Sequence, residues 1–257
     1  GVQSMSDRVL ARAGRRHGAE DVRRTWRMLG EAGFCNAGMD LIAGLPGAGP
    51  ATWRDTLDEV VEMRPSHVSV YALSVEEGST LHRTVRDGIR RAPSEKAASS
   101  AVDEARRRLT ASGYERYEVS NYGRDGRRCL HNLACWRGRD YVGFGPAAAS
   151  RVGRERWTVP PDLGAYLDAA EHGDAPAAAR ETLDERTDAA ERLMFAFRMG
   201  RGIDARRVES APAAWRAAWA NALVALAADG LIARAGSRWA PTEKGFLFAD
   251  RIASAFL

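Results

Sequence analysis

The chain has few cysteines and no long apolar run. Its three cysteines, Cys35, Cys129 and Cys135, are an odd number at spacings that build neither a disulfide scaffold nor a paired zinc clip, which fits a reducing compartment. No stretch approaches the roughly 18 uncharged apolar residues of a membrane-spanning helix, and the first residues lack the basic-then-apolar order of a secretory signal. Both absences point to a cytoplasmic protein. A concentrated basic tail is missing too: the net charge of +4 comes from 38 Lys+Arg set against 34 Asp+Glu, so nucleic acid is not demanded as a partner. There is no internal repeat and no initiator methionine. The chain opens on Gly1-Val-Gln-Ser, which reads as the end of a strand and leads us to expect a piece of a longer protein. With 257 residues, 45% of them apolar, it can build one large or two ordinary domains.

What is present is organised around Met39-Asp40-Leu41-Ile42-Ala43-Gly44-Leu45-Pro46-Gly47. An apolar run bounded by Gly and Pro is too short for a helix and cannot continue as a ladder past Pro46, so it predicts a short buried strand that stops abruptly. Asp40 is out of place at its head, where a carboxylate needs a hydrogen-bonding partner or a ligand to offset its desolvation. A helix over 19–33, with Val22, Trp26 and Leu29 at helical spacing, precedes it. A second, with Trp53, Leu57, Val60 and Val61, follows, and His67 to Leu73 reads as another buried strand. Helix, strand, helix, strand is the pattern of parallel α/β architecture, whose sites collect at the carboxyl ends of the strands.

Farther on, Pro93-Ser94-Glu95 opens a helix that stops at Gly113, residues 114–122 alternate as a strand, and Tyr141 to Gly145 reads as a last short strand. Residues 151–180 are rich in Arg, Pro, Ala and Gly and predict a linker with one helix near 162–171. The tail, 181–257, differs in kind. A helix over 184–198, a helix carrying Trp215, Trp219, Leu223 and Leu226, a two-stranded wing around Gly236 and a terminal helix from Thr242 predict a small winged-helix-like domain.

Gly1-Val-Gln-Ser, the Arg15 loop, Asp40-Leu-Ile-x-Gly-Leu-Pro-Gly, Tyr117-Glu-x-Ser-Asn-Tyr, His131-Asn-Leu-x-x-Trp136 and Tyr141-x-Gly-x-Gly145 occur in this order. Together they resemble the oxygen-independent coproporphyrinogen III oxidase family of radical S-adenosylmethionine (SAM) proteins, and within it the haem-chaperone branch. The resemblance runs along nearly the whole chain. It implies the carboxyl-terminal part of a radical SAM partial TIM barrel, with parallel strands over 1–150, then the linker and the winged-helix-like domain. It also implies a [4Fe-4S] cluster held by a Cys-x3-Cys-x2-Cys loop. No such motif is present, so the cluster ligands are expected upstream of Gly1 and this polypeptide alone is expected to do no radical chemistry.

For SAM the resemblance implies contacts from Gln3, Arg15, Asp40, Ile42 and Ser74. For haem or porphyrin it implies His131, Asn132, Cys135 and Trp136, with His131 and Cys135 as candidate ligands of the haem iron. Two positions depart from the family. Cys135 stands where relatives carry tyrosine, and Ala149 stands where they carry histidine, a residue whose ligating and donating capacity alanine lacks. The implied function is a haem chaperone that hands haem to a recipient protein, for which membrane association is compatible with the resemblance. An oxidase that decarboxylates coproporphyrinogen III through a 5′-deoxyadenosyl radical is the alternative, and a non-catalytic binding remnant is a third.

Other motifs are weaker. Gly44 to Gly49 and Gly143-Phe-Gly145 lack the lysine and hydroxyl of a phosphate loop and read as tight turns. Cys129, His131 and Cys135 offer zinc three ligands without a fourth. The wing carries only Arg234 and Arg238, too little cation for a DNA reader.

Overall fold

The computed structural model describes residues 1–91, 93–173 and 178–257, and its packing falls into two units, 1–128 and 129–257. The first unit contains, in order, α1 (Asp7–Arg12), α2 (Ala19–Glu31), β1 (Gly38–Ala43), α3 (Pro50–Glu62), β2 (His67–Ala72), α4 (Thr80–Arg86), α5 (Glu95–Ala111), β3 (Glu115–Arg116) and β4 (Asn121–Gly123). The four strands form one sheet in the order β1-β2-β4-β3.

Because side chains alternate across a strand, β1 has two faces of different character. Met39, Leu41 and Ala43 are buried, while Gly38 and Asp40 are exposed and Ile42 is half-buried. The buried set joins Val68 and Val70 of β2, Tyr122 of β4, Trp53, Leu57 and Val60 of α3, and Ala105 and Leu109 of α5 in one core. Each large aliphatic side chain buried this way contributes about 1.5–3 kcal/mol. Pro50 takes the first turn of α3, where its missing N–H costs nothing. The hydroxyl of Ser94 caps α5 by accepting from the Ala97 N–H at 3.2 Å. Gly44 and Gly47 have φ of 85° and 87°, and a Cβ on Gly47 would lie 2.6 Å from the Arg12 guanidinium. The Gly44–Gly49 loop is thus a tight turn.

β1 and β2 pair in parallel, as expected, but β4 runs antiparallel to both β2 and β3. The single strand predicted over 114–122 is instead a fold-back, with Glu115 opposite Gly123 and Arg116 opposite Tyr122. Glu118, fully buried, accepts the Ser120 N–H within this turn, a local carboxylate-to-backbone bond that competes with the ladder.

The second unit contains α6 (Leu130–Trp136), β5 (Ala149–Val152), β6 (Glu155–Thr158), α7 (Leu163–His172), β7 (Ala179–Thr182), α8 (Glu185–Ala196), β8 (Ile203–Asp204), α9 (Arg206–Glu209), α10 (Ala213–Ala228), β9 (Ile232–Ala235), β10 (Arg238–Pro241), α11 (Glu243–Leu247) and α12 (Ala249–Ser254). Its core unites Leu193 and Phe197 with Trp219, Leu223, Leu226, Ile252 and Phe256. The wing is present as β9 and β10, joined by β8 to make three strands. The stretch read as a linker over 151–180 is mostly structured: β5, β6 and β7 form an antiparallel sheet, and α7 matches the expected helix. Residues 174–177 of that stretch lie outside the described residues. Tyr141 to Gly145 contributes one isolated bridge, Tyr141 to Arg151, in place of the strand that was predicted. Among the described residues no helix is long and apolar enough to cross a membrane.

Charge holds the middle of this unit. Arg151, 4% exposed, pairs with Asp188 and, at 3.3 Å, with Glu191. Arg156 reaches Glu191 at 2.6 Å and Arg192 reaches Asp188 at 2.9 Å. Removing one member of a buried pair strands the others. Arg151→Met is therefore expected to lower the unfolding free energy by about 3 kcal/mol, the low end of the range because Arg156 and Arg192 remain. The measurement is the urea midpoint at unchanged slope. A loss below about 1 kcal/mol would place the network with ordinary surface pairs.

Candidate functional site

In the first unit the candidate surface is the face of the sheet that α3 and α5 leave uncovered. Parallel register places Gly38 beside His67, Asp40 beside Ser69 and Ile42 beside Tyr71, all on this face. Gln3 joins its edge: its N–H donates to the Asp40 carbonyl at 2.7 Å and its carbonyl accepts from the Ile42 N–H at 3.1 Å, with Gln3 itself at φ 67°. A non-glycine residue there is strained and recurs at binding sites. Gln3, Asp40 and Ile42 are thus brought together. Ser74, exposed, lies just beyond the carboxyl end of β2, and Arg15, exposed, lies in the loop after α1. No hydrogen bond among the described residues ties either to the other three. The Asp40 carboxylate has no hydrogen-bond or ion-pair partner among the described residues, but it is exposed, so the desolvation expected from the sequence does not arise and water can serve it.

His67 and Tyr117, unassigned from the sequence, belong to this face too. The His67 Nε2 and the Tyr117 hydroxyl are 2.8 Å apart, and the imidazole lies against Gly38, where a Cβ would sit 3.3 Å from Nδ1. Burial holds the His67 pKa below 6.5, with the Asp40 charge opposing. The signal was available in the register, since His67 and Asp40 share the odd face of a two-residue period.

In the second unit the candidate residues lie on α6. His131 and Cys135 are four apart and share a face, with Sγ and Nε2 3.9 Å apart. His131 is exposed and Cys135 half-buried, and burial pushes the Cys135 thiol up, leaving it further from the thiolate that ligates metals. Asn132 is half-buried on the same helix. Trp136 is engaged elsewhere: its ring lies 5.9 Å from that of Phe195 and beneath the Arg198 guanidinium at 5.4 Å. Arg192 adds a bond to the Gly138 carbonyl at 3.2 Å, just past the helix end. Trp136 therefore anchors the helix to α8, and His131 faces solvent beside Leu130, 78% exposed. Ala149 opens β5 and is exposed. Among the described residues no group of three or more His, Cys, Asp or Glu side chains could hold a metal ion.

A family profile described as the HemN C-terminal domain matches residues 183–248. The chain aligns over its full length, at 32% identity, with the heme chaperone HemW of Mycobacterium tuberculosis H37Rv, and over its full length, at 26% identity, with that of Bacillus subtilis 168. The chain is HemW-like along its whole length. It spans 64% of the M. tuberculosis protein and 68% of the B. subtilis one. The Escherichia coli coproporphyrinogen III oxidase HemN, described as a radical SAM enzyme, superposes on the whole chain with a TM-score of 0.81 at 22% identity, using 62% of its own length. That likeness is one of fold: the chain has the architecture of the carboxyl-terminal part of HemN.

The half-buried His67 makes a pH-dependent contribution to stability. A histidine whose pKa is lowered by folding is favoured in its neutral form, so its contribution is present above its unfolded value of about 6.5 and is lost as pH falls through the folded value. Denaturant unfolding between pH 7.5 and 5.5 is expected to show stability declining on acidification, and His67→Gln should flatten the slope. An unchanged slope in the variant would remove His67 as its source.

Proposed function

We propose that this chain carries the haem-binding part of a HemW-type haem chaperone, together with part of its SAM site. The observation that carries the proposal is the split character of α6. Trp136, under Arg198 and against Phe195, fixes one side of the helix, and the exposed His131 presents an imidazole on another. A neutral imidazole is a good ligand for haem iron, and an exposed Leu130 beside it suits an apolar macrocycle. His131 is the proposed axial ligand, with Cys135 as a second candidate and Asn132 beside them.

The open sheet face supports the SAM reading. Asp40 offers an unpaired carboxylate to ribose hydroxyls, Gln3 and Ile42 flank it, and Ser74 and Arg15 complete the proposed contacts. SAM would supply the adenosyl group of radical chemistry when bound. The cluster is a different matter. Cys35, Cys129 and Cys135 are spaced too widely in the sequence to form the Cys-x3-Cys-x2-Cys motif, so the cysteines here do not fit its ligand set, and its ligands are proposed to lie outside this sequence.

The proposed cargo is haem and the proposed partner a haem-recipient protein, which can be membrane-associated. Nucleic acid has little support, because Arg234 bonds the Gly236 carbonyl at 3.2 Å and Arg238 bonds the Arg201 and Gly202 carbonyls at 3.0 and 2.8 Å. Decarboxylation of coproporphyrinogen III is the second reading, favoured by the HemN fold, and His131, Asn132 and Trp136 favour transport over it.

Haem titration followed by absorption spectroscopy tests the proposal. The chain is expected to bind one haem. His131→Ala should abolish or shift the Soret band, and Cys135→Ala should leave it nearly unchanged. A folded chain that binds no haem would overturn the chaperone reading, and a band sensitive only to Cys135 would reassign the ligand.

A further inference from the structure

A cavity of about 650 Å³ opens on the helix side of the first unit, between the turn that ends β1 and the beginnings of α3 and α5. Its size is that of a small-molecule site, and it stands at the carboxyl end of a parallel strand, where the sites of α/β folds collect. None of Gln3, Arg15, Asp40, Ile42 or Ser74 lines it. Its walls are held by bonds within the protein. The Trp53 indole N–H donates to the Ala101 carbonyl at 2.8 Å and ties α3 to α5. The turn is closed by the Ala48 N–H on the Leu45 carbonyl at 2.9 Å, and Arg8 bonds the Gly47 carbonyl at 3.2 Å.

Charge around this cavity is one-sided. The charged residues of its lining are Arg54, Arg91, Lys96, Arg107 and Glu104. Glu104 is already answered by Arg107 at 2.7 Å and by Arg108 at 3.0 Å. Arg54, Arg91 and Lys96 are exposed and have no hydrogen-bond or ion-pair partner among the described residues. The carboxylate one turn along α3 from Arg54, that of Asp58, is taken by Arg108, and Lys96 has only Ser99 and Ser100 at helical spacing. Three cations from separate stretches of chain thus converge on one cavity with no acid of their own.

We propose that this cavity binds a phosphorylated small molecule, its phosphate groups held by Arg54, Arg91 and Lys96 and its apolar body against Leu45 and Pro93. A carboxylate is satisfied by one bidentate arginine. Three free cations, with the positive ends of α3 and α5 at the same cavity, match the higher charge of a diphosphate. The proposal uses none of the residues assigned to SAM or haem.

Calorimetric titration of the full chain with inorganic pyrophosphate, benzyl diphosphate and citrate is the test. Pyrophosphate should bind, benzyl diphosphate should bind more tightly, and citrate more weakly than either. Arg54→Gln and Lys96→Gln remove exposed side chains that make no hydrogen bond or ion pair, so both variants should fold. Each should weaken benzyl diphosphate about tenfold, the low end for a charged hydrogen bond. Arg207→Gln, which removes an exposed and unpaired arginine of the second unit, should leave binding unchanged. A folded chain that binds neither diphosphate overturns the proposal. So does citrate binding as tightly as pyrophosphate, benzyl diphosphate binding no better than pyrophosphate, or an equal loss in Arg207→Gln, which would reduce the effect to general charge attraction.

Discussion

The parallel pairing of β1 with β2 is the constraint on which the first unit depends. A strand has a side-chain period of two, so a slip of one residue would turn Met39, Leu41 and Ala43 to the open face and Asp40 into the core. The register therefore sets the hydrophobic core and the open face in one act. Core and site are two faces of the same object, and packing of α3 and α5 against one face fixes the positions of groups on the other. Asp40 and Ile42, the proposed SAM contacts, sit in this way on rigid backbone, which suits recognition of a defined ligand.

The second unit uses a different device. Its sheet of β5, β6 and β7 is rich in Arg and Glu, and its tie to α8 runs through Arg151, Arg156, Asp188 and Glu191. Buried ion pairs contribute modest net stability yet tolerate no missing partner. They act as a key that accepts one arrangement. α6 is fixed to the same helix α8 by Trp136 and by Arg192, so the orientation of His131 is set by residues that never touch it.

Much of the first unit was readable from the sequence. The strand around Leu41, the flanking helices and the partner strand from His67 follow from apolar periodicity and from the Gly and Pro stops. The 114–122 segment was misread because Tyr, Glu, Arg and Tyr alternate as well in a fold-back as in a straight strand, and the buried Glu118 that decides between them has no local signature. The β5–β7 sheet was missed for the opposite reason. Arg151, Glu155, Arg156, Arg180 and Glu181 lack the apolar alternation by which strands are recognised, because β7 is exposed throughout and Arg151 is buried by ion pairing. Asp40 was legible as a charge out of place. The division of α6, with His131 and Trp136 turned to different sides, was not, because adjacency in sequence says nothing of which side packs.

The extent of the HemN C-terminal domain match, residues 183–248, differs from the extent of the packing that surrounds it. Asp188 and Glu191 lie inside that span and the arginine they enclose, Arg151, lies outside. Trp219 lies inside, and the carbonyl its indole N–H reaches at 3.0 Å, that of Phe256, lies outside. What is inherited as a recognisable block is thus smaller than what must fold together. A graft cut at the block's edges would carry two carboxylates and an indole into a setting that no longer answers them.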